Sequence, residues 1–298
     1  MNIKGNIKQP WLVLPMATPF TDRDEVDHAA IRSNIGMWLD APISSFVVGT
    51  ASGEEWYLSG EEILSIADNV VNEVKGECLV FGGIDSPSVS NTLKRAEEFA
   101  KVGCNGVRIR IPRYPDQVLP YFKEVLALSP LPVLIMHQSN PEIFGSVGSV
   151  AASPSTIGEI VRMGNVIGYN SDHDARFEAH VRRNVPEDMR FLFPNGSLTL
   201  IGTLVGANGV STAIANVLPY PLYEILNLGM AGKFTEANAI QERISRVDEL
   251  MLPYGPAGIK AAMNLVGMKG TKPRSPRQAV SENVSKSLHS ILESNGFL

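Results

Sequence analysis

The chain has 298 residues, of which 44% are hydrophobic and 19% charged, so it can bury a large core and intrinsic disorder is excluded. Lys and Arg number 26 against 31 Asp and Glu, a net charge of −5, so there is no basic excess to neutralise a nucleic-acid backbone. No apolar run approaches the ~20 residues of a membrane span, and the polar start lacks a secretory signal, so we expect a cytoplasmic protein that binds neither nucleic acid nor membrane.

Short apolar runs alternate with longer segments of helical spacing along most of the chain. The predicted strands cover residues 11–17, 44–48, 78–81, 106–111, 132–136, 166–169, 190–193 and 209–212. The predicted helices cover residues 26–39, a segment beginning after Ser59, then 90–102, 119–127, 155–163, 175–183, 197–205, 219–229 and 235–250. Ser59 followed by Glu62 predicts a capping box at the start of the second helix.

Repeated strand–helix units at this spacing indicate parallel strands joined by right-handed crossovers. Eight such units close naturally into a (β/α)8 barrel, the TIM barrel of the α/β class. We expect the barrel to occupy residues 1–232 and the helical segment 233–298 to pack on it as an extension.

In such barrels, the residues that follow each strand form the active-site face. This rule selects Thr18, Ser52, Glu54, 83–85, Tyr114, His137, 170–174, Asn195, Ser197 and 213–216 as candidates. The list mixes hydroxyl, carboxylate, imidazole and amide groups, so the face is rich in side chains that bind or exchange protons.

Six segments together resemble the dihydrodipicolinate synthase / N-acetylneuraminate lyase family. They are TPF at 18–20, TASGE at 50–54, GVRIRIPRY at 106–114, NVIGYN at 165–170, GANGVSTAIANVLP at 206–219 and GIKAAMNLVG at 258–267. Each is weak alone, but their shared order covers nearly the whole chain. The resemblance implies a (β/α)8 barrel with a C-terminal helical extension, usually assembled as a tetramer.

The resemblance also implies a mechanism on pyruvate and other 2-oxo acids. In the family, a lysine at the end of strand six forms a Schiff base, and a tyrosine after strand five moves protons. A loop hydroxyl and a tyrosine from a neighbouring subunit assist, and an arginine beyond strand five often holds a substrate carboxylate.

The two central residues of that mechanism are replaced here. Asn170 occupies the lysine position, and Met136, in LPVLIMHQ at 131–138, occupies the tyrosine position. An amide nitrogen is not a nucleophile and a thioether has no transferable proton. The other lysines considered, Lys101, Lys123 and Lys260, do not follow a predicted barrel strand. We therefore expect no imine.

The other residues of the family pattern are in part lost and in part kept in this sequence. Ala51 replaces the first loop hydroxyl whereas Ser52 keeps the second, and residues 139–142 offer no arginine. Tyr114 matches the interface tyrosine, and it either serves the active site or packs at a subunit contact. Glu54 is interpreted as an organiser of its loop.

Two arginines alternate with apolar residues along the fourth predicted strand. Because unpaired guanidinium groups in the strand–helix layer would be very costly, we expect Arg108 and Arg110 to point into the barrel, with Arg110 nearer the active-site end. Arg110 then either anchors a substrate carboxylate or forms a buried ion pair with an interior acid.

Acid–base candidates follow strands five and six. His137, Asp172 and His173 bring imidazole and carboxylate groups together, which suits proton transfer or a divalent metal. The alternatives are helix capping by Asp172 or Asp174 and a structural His137. The run is too short to be a metal signature, so we expect no metal and no cofactor. The cysteines Cys78 and Cys104 are expected to be buried and inert.

Two functions follow from these residues. The first is a lyase-like enzyme that acts on a small oxo- or hydroxy-carboxylic acid by non-covalent acid–base chemistry. The second is a catalytically inactive pseudoenzyme that keeps the barrel for ligand binding or regulation. With either function, we expect a homodimer or homotetramer and a small carboxylate as substrate or ligand. For the enzyme, the predicted catalytic residues are His137 and Tyr114, and the predicted substrate-binding residues are Arg110, Asn170, Ser52, Thr18 and Asp172.

Overall fold

Eight parallel strands close into a barrel in the computed structural model, which describes residues 5–137, 151–171 and 174–298. Each strand pairs with the next in the chain, and β8 closes on β1. This confirms the predicted (β/α)8 fold. The strands are β1 (Trp11–Pro15), β2 (Ser45–Val48), β3 (Leu79–Ile84), β4 (Gly106–Arg110), β5 (Val133–Met136), β6 (Val166–Asn170), β7 (Arg190–Phe193) and β8 (Gly209–Ser211).

Helices surround the barrel and continue beyond it. Those beside the strands are α1 (His28–Leu39), α2 (Gly60–Val74), α3 (Val89–Lys101), α4 (Pro115–Leu128), α5 (Pro154–Val161), α6 (Ala175–Asn184), α7 (Thr199–Val205) and α8 (Pro219–Met230). The C-terminal segment adds α9 (Phe234–Met251), α10 (Pro256–Leu265) and α11 (Glu282–Ser294). None of these described helices is both long and apolar enough to cross a bilayer.

Local signals explain where two of these helices begin. Ser59 Oγ accepts from the Glu62 amide at 3.1 Å, and Glu62 Oε2 accepts from the Ser59 amide at 2.8 Å, which confirms the predicted capping box. Helix α4 begins at Pro115, four residues before the predicted 119. Proline suits the first helical turn because its missing amide hydrogen has no intrahelical acceptor there.

Strand residues divide between two apolar layers. One set of alternating side chains joins the helices in a large core that also includes Ile244 of α9 and Leu288 of α11. Because barrel and C-terminal helices share this core, the boundary at residue 232 stays a prediction. The other set fills the barrel interior with Trp11, Val13, Val47, Phe81, Leu134, Ile167 and Leu192.

The loop after β2 packs directly on the end of β1. A Cβ atom on Gly53 would lie 2.6 Å from the Met16 carbonyl oxygen and 3.1 Å from Thr18 Oγ1, so only glycine permits this approach. Glu54 follows with a φ of 62°, a left-handed conformation that turns its side chain into the protein, where it is buried. The loop is thereby fixed at the C-terminal end of the barrel strands, which we call the mouth.

Candidate functional site

Asn170 and Met136 lie side by side at the mouth. They end the neighbouring strands β6 and β5, are paired in register and are both buried. Asn170 Nδ2 donates to Met136 Sδ at 2.7 Å, whereas Asn170 Oδ1 has no hydrogen-bond partner among the described residues. The end of strand six therefore carries an amide whose oxygen is buried and lacks a donor.

Lys260 is buried, unlike Lys101 and Lys123, and its ammonium is engaged away from Asn170. Its ammonium lies 2.5 Å from Glu54 Oε1, donates to the Lys272 carbonyl at 3.0 Å and faces the Phe20 ring at 4.2 Å. Burial lowers the pKa of Lys260 to about 8, although the Glu54 carboxylate acts in the opposite direction. These contacts join α10 to the loop after β2.

Arg110 is held by two carboxylates. Its guanidinium lies 3.2 Å from Glu55 Oε1 and contacts the Asp85 carboxylate, while the Arg110 and Glu55 side chains are almost completely buried. Asp85 is 31% exposed, so the cluster reaches solvent at the mouth. Of the two roles predicted for Arg110, a carboxylate anchor and a buried ion pair, the structure shows the ion pair.

Arg108 lies on the same face of β4. Its neighbours Val107 and Ile109 belong to the outer core, so Arg108 and Arg110 point into the barrel, as the alternation predicts. Arg108 is 6% exposed, and no described residue pairs with it; its buried Nε lacks an acceptor. Burial, and secondarily Arg110, lower the pKa of Arg108 to about 10, so it stays protonated at neutral pH.

His137 belongs to the strand–helix layer. Its Nδ1 lies 3.0 Å from the Tyr169 hydroxyl, which donates to Glu178 Oε1 at 3.3 Å, and its ring packs 5.7 Å from Phe177. Tyr169 is part of the outer core. The structure therefore places the His137 ring on the opposite side of the strands from Asn170, which favours its structural alternative.

Three hydroxyl residues lie near the loop after β2. Thr18 is buried beside Gly53, and Ser52 is half-buried. Thr50 is also buried, and its Oγ1 has no hydrogen-bond partner among the described residues. Thr50 was not selected from the sequence, although it is the first residue of the segment 50–54 that resembles the family.

The remaining predicted residues are distributed differently. Tyr114 begins α4 at the mouth and is 62% exposed in the single chain. Asp174 caps α6, because its Oδ1 accepts from the Phe177 amide at 3.0 Å, which confirms the capping alternative. Asp172 and His173 lie outside the described residues.

Metal ligands do not cluster within the described ranges, where no group of three or more His, Cys, Asp or Glu side chains could hold an ion. Cys78 and Cys104 are both free and buried, as predicted. Burial raises the pKa of each thiol to about 12, which suppresses the reactive thiolate.

Sequence reasoning missed Glu55, the acid that pairs with Arg110. The sequence offered only a general signal for this pairing. Two arginines that point into the barrel require carboxylate partners, and Glu55 directly follows Glu54 in the loop after β2. Asp85 was among the strand-end candidates but was not assigned to Arg110. Their distance from Arg110 along the chain hides the pairing until the barrel closes.

Comparison with known proteins gives consistent matches. The model of the dihydrodipicolinate synthetase family matches residues 11–295. A 4-hydroxy-tetrahydrodipicolinate synthase of Prochlorococcus marinus (strain NATL2A) is 26% identical over 290 residues, covering 95% of this chain and 94% of the relative.

Solved structures share the fold. A dihydrodipicolinate synthase from Bacillus anthracis superposes with a TM-score of 0.87 at 22% identity, covering 96% of this chain and 98% of that one. The chloride-inhibited enzyme from Acinetobacter baumannii, solved with pyruvate, has a TM-score of 0.86 at 17% identity and covers 97% of this chain and 99% of its own. At such identities, these likenesses establish the fold alone.

Proposed function

Because the chain belongs to the dihydrodipicolinate synthetase family, we propose that it is a lyase-like enzyme that acts on a small oxo- or hydroxy-carboxylic acid without a Schiff base. The observation that supports this most is Asn170, which lies against Met136 where the family resemblance implies lysine beside tyrosine. An amide has no basic lone pair on nitrogen, so it can orient a substrate but cannot condense with its keto group.

The mouth offers polar groups for a small acid. Guanidinium groups bind carboxylates in a planar, two-pronged manner, and Arg108 and Arg110 both point into the barrel. In the proposal, Asn170, Ser52 and Thr18 orient the remaining oxygens. Asp172, which lies outside the described residues, keeps its predicted binding role as part of the same proposal.

The proposed chemistry is proton transfer next to the acid group. A base removes a proton from the carbon beside the carbonyl, and the electron pair moves onto the carbonyl oxygen as an enolate. The return of that pair expels a substituent from the next carbon, which leaves with a proton from a general acid. Positive charge fixed in a buried site stabilises the enolate most strongly.

Tyr114 and Asp85 are the mouth groups that suit the two proton transfers. The Tyr114 phenol is exposed at the start of α4, and the Asp85 carboxylate is partly open to solvent. His137 is less suited, because its ring lies in the strand–helix layer. Exposure of Tyr114 in the single chain also fits the proposed homodimer or homotetramer, in which it would meet a second copy.

A pseudoenzyme is the second candidate. It is favoured by two observations: Arg110 is neutralised by Glu55 and Asp85, and the His137 ring is hydrogen-bonded away from the mouth. In that case, the barrel would bind a small acid as a signal, with no turnover.

The first experiment tests the absence of an imine. The protein is incubated with pyruvate and borohydride and its intact mass is measured, with a lysine-containing family synthase as positive control. We expect an adduct on the control and none on this protein. An adduct here would disprove the non-covalent mechanism.

The second experiment separates enzyme from pseudoenzyme. Oxo and hydroxy acids are screened by thermal shift, and every stabilising acid is then tested for turnover by NMR. Turnover that falls in Tyr114→Phe or Asp85→Asn supports the enzyme. Stabilisation without turnover supports the pseudoenzyme, because a ligand that binds only the folded state raises its melting temperature.

A further inference from the structure

We propose that Arg108, and not Arg110, binds the carboxylate of the ligand, and that this ligand is a hydroxy acid whose hydroxyl donates to Asn170 Oδ1. The inference deepens the proposed function, since it names the anchor and the substrate class of the same mouth. It depends on two buried groups whose hydrogen-bonding capacity is unused and which lie near each other in the barrel.

The two arginines differ in what surrounds them. Arg110 has Glu55 at 3.2 Å and the Asp85 carboxylate in contact, whereas no described residue forms an ion pair or hydrogen bond with Arg108. A buried cation without a partner is unfavourable, because the interior replaces little of the hydration that it loses. An anion that enters the mouth compensates the unfavourable burial of the Arg108 charge.

The protein itself offers Arg108 no side-chain acceptor from the adjacent strands. Its in-register neighbours are Gly83 on β3, which has no side chain, and Leu134 on β5, which is apolar. The interior cluster that contains Leu134 and Phe81 is apolar as well. In the proposal, a molecule in the mouth supplies the acceptor that no described residue provides to Arg108.

A carboxylate fits this position better than other acceptors. A guanidinium presents parallel N–H groups that match the two oxygens of a carboxylate, and the charge–charge attraction is strong where water is excluded. The acids Glu55 and Asp85 act on Arg108 through space, but each has one oxygen engaged by Arg110 and neither contacts Arg108. The Arg108 charge is thus available to a ligand.

Asn170 defines the second feature of the ligand. Its Nδ2 faces Met136 Sδ, and because a thioether accepts but does not donate, this orientation leaves Oδ1 without a donor. A keto oxygen also cannot donate, whereas a hydroxyl can. A hydroxy acid therefore satisfies both Arg108 and Asn170, while the corresponding oxo acid satisfies only Arg108.

The geometry allows one small molecule to reach both groups. Strands β4, β5 and β6 are neighbours, with Arg110, Met136 and Asn170 in one row and Arg108 two residues below Arg110 on the same face. Neighbouring strands lie about 5 Å apart, so β4 and β6 are about 10 Å apart. In the proposal, the long Arg108 side chain extends across part of that distance, and a short acid bridges the rest.

The test measures binding of matched pairs of acids of three to six carbons, such as lactate with pyruvate and 2-hydroxyglutarate with 2-oxoglutarate, by isothermal titration calorimetry. We expect a hydroxy acid to bind the wild-type protein about 2- to 10-fold more tightly than its oxo partner. This ratio of dissociation constants corresponds to the free energy of one neutral hydrogen bond. Asn170→Leu should abolish this preference and keep the weaker binding. If wild type binds no hydroxy acid, or if the oxo acid binds more tightly, the inference is overturned.

Arg108→Met and Arg110→Met form the matched comparison. Arg108→Met should weaken binding about 10- to 100-fold, because a charged hydrogen bond is lost, yet leave the melting temperature of the free protein unchanged or raised. Arg110→Met should lower the melting temperature, because Glu55 is left buried and unpaired. Unchanged affinity in Arg108→Met, or a loss of stability equal to that of Arg110→Met, would overturn the assignment.

Two further outcomes keep the inference distinct from the proposed function. Inorganic phosphate that binds as tightly as the hydroxy acids, without dependence on Asn170, would reject the hydroxy-acid class. An absence of turnover, with binding that depends on Arg108 and Asn170, would reject the enzyme and support the inference. Imine trapping in wild type would reject the proposed mechanism without changing the Arg108 binding result.

Discussion

The amide nitrogen of Asn170 lies 2.7 Å from the sulfur of Met136. The two positions that the family resemblance aligns with the imine-forming lysine and the proton-moving tyrosine are therefore in direct contact. In the proposed function, the change of chemistry therefore lies at the ends of β5 and β6, within an intact barrel.

Asn170→Lys should restore an amine to this position. We expect borohydride to trap a pyruvate adduct on the variant, because burial disfavours the charged ammonium and leaves a nucleophilic amine. The measurement is intact-protein mass, with Asn170→Gln as the matched variant without an amine. An adduct that persists in Asn170→Gln would place the reactive amine elsewhere.

Lys260→Met should destabilise the protein by about 3–5 kcal/mol, because the buried Glu54 carboxylate would lose its ion-pair partner. Denaturant unfolding measures the change. The exposed Lys286, which pairs with Glu282 at the surface, gives the control Lys286→Met, with an expected change within about 0.5 kcal/mol.

The Lys260–Glu54 interaction can be isolated by a double-mutant cycle. Glu54→Gln combined with Lys260→Met should lose less stability than the sum of the single changes, since no charge is then left unpaired. If the losses of stability in the two single variants simply added, Lys260 and Glu54 would contribute to stability independently. That result would contradict the direct 2.5 Å contact between them.

His137→Ala should lower the stability of the fold and leave ligand binding at the mouth unchanged. We expect a loss of about 2–3 kcal/mol, because the Tyr169 hydroxyl loses a buried partner and Phe177 loses a packed ring. Thermal unfolding gives the stability, and ligand affinity below the unfolding range gives the function, with the exposed His180 replaced by Ala as control. If the variant lost turnover while its stability stayed unchanged, His137 would instead be a catalytic residue.

The free energy of unfolding should fall as the pH rises above 9. Burial raises the pKa of Cys78 and Cys104 to about 12, from an ordinary value of 9.0, so between these values the unfolded chain releases thiol protons that the folded chain retains. Stability is complete below pH 9 and declines above it, by roughly 1 kcal/mol per thiol at pH 10.

A double Cys→Ala variant measures the part of this decline that comes from the thiols. Its unfolding free energy should depend less steeply on pH between 9 and 10.5 than that of the wild-type protein. Because the groups other than Cys78 and Cys104 are unchanged, parallel curves for the two proteins would show that the thiols do not contribute.

Much of the fold could be predicted because its signals are local. Short apolar runs separated by segments of helical spacing located all eight barrel strands, and the Ser59–Glu62 capping box marked the start of α2. Errors were confined to ends. The α4 start was missed because Pro115 was interpreted as part of a loop when it begins the helix.

The site was less predictable because its partners are distant in sequence. Alternation along β4 correctly predicted that Arg108 and Arg110 point inward. The same alternation places His137 outward, since it follows the inward Met136, but strand-end position was weighted more heavily. No local pattern distinguishes Arg110, which meets Glu55, from Arg108, which contacts no acid among the described residues.

By itself, the sequence determined the order of strands and helices, the barrel, and Asn170 as the residue at the end of strand six, where the family resemblance implies lysine, because these depend on residue type and on spacing along a few turns. The tertiary structure decided which charged groups meet and which remain available. Closing the barrel brings Glu55 and Asp85 onto Arg110 and leaves Arg108 among apolar neighbours. Such contacts depend on distances through space between strands, and the free energy of a buried charge depends on those distances.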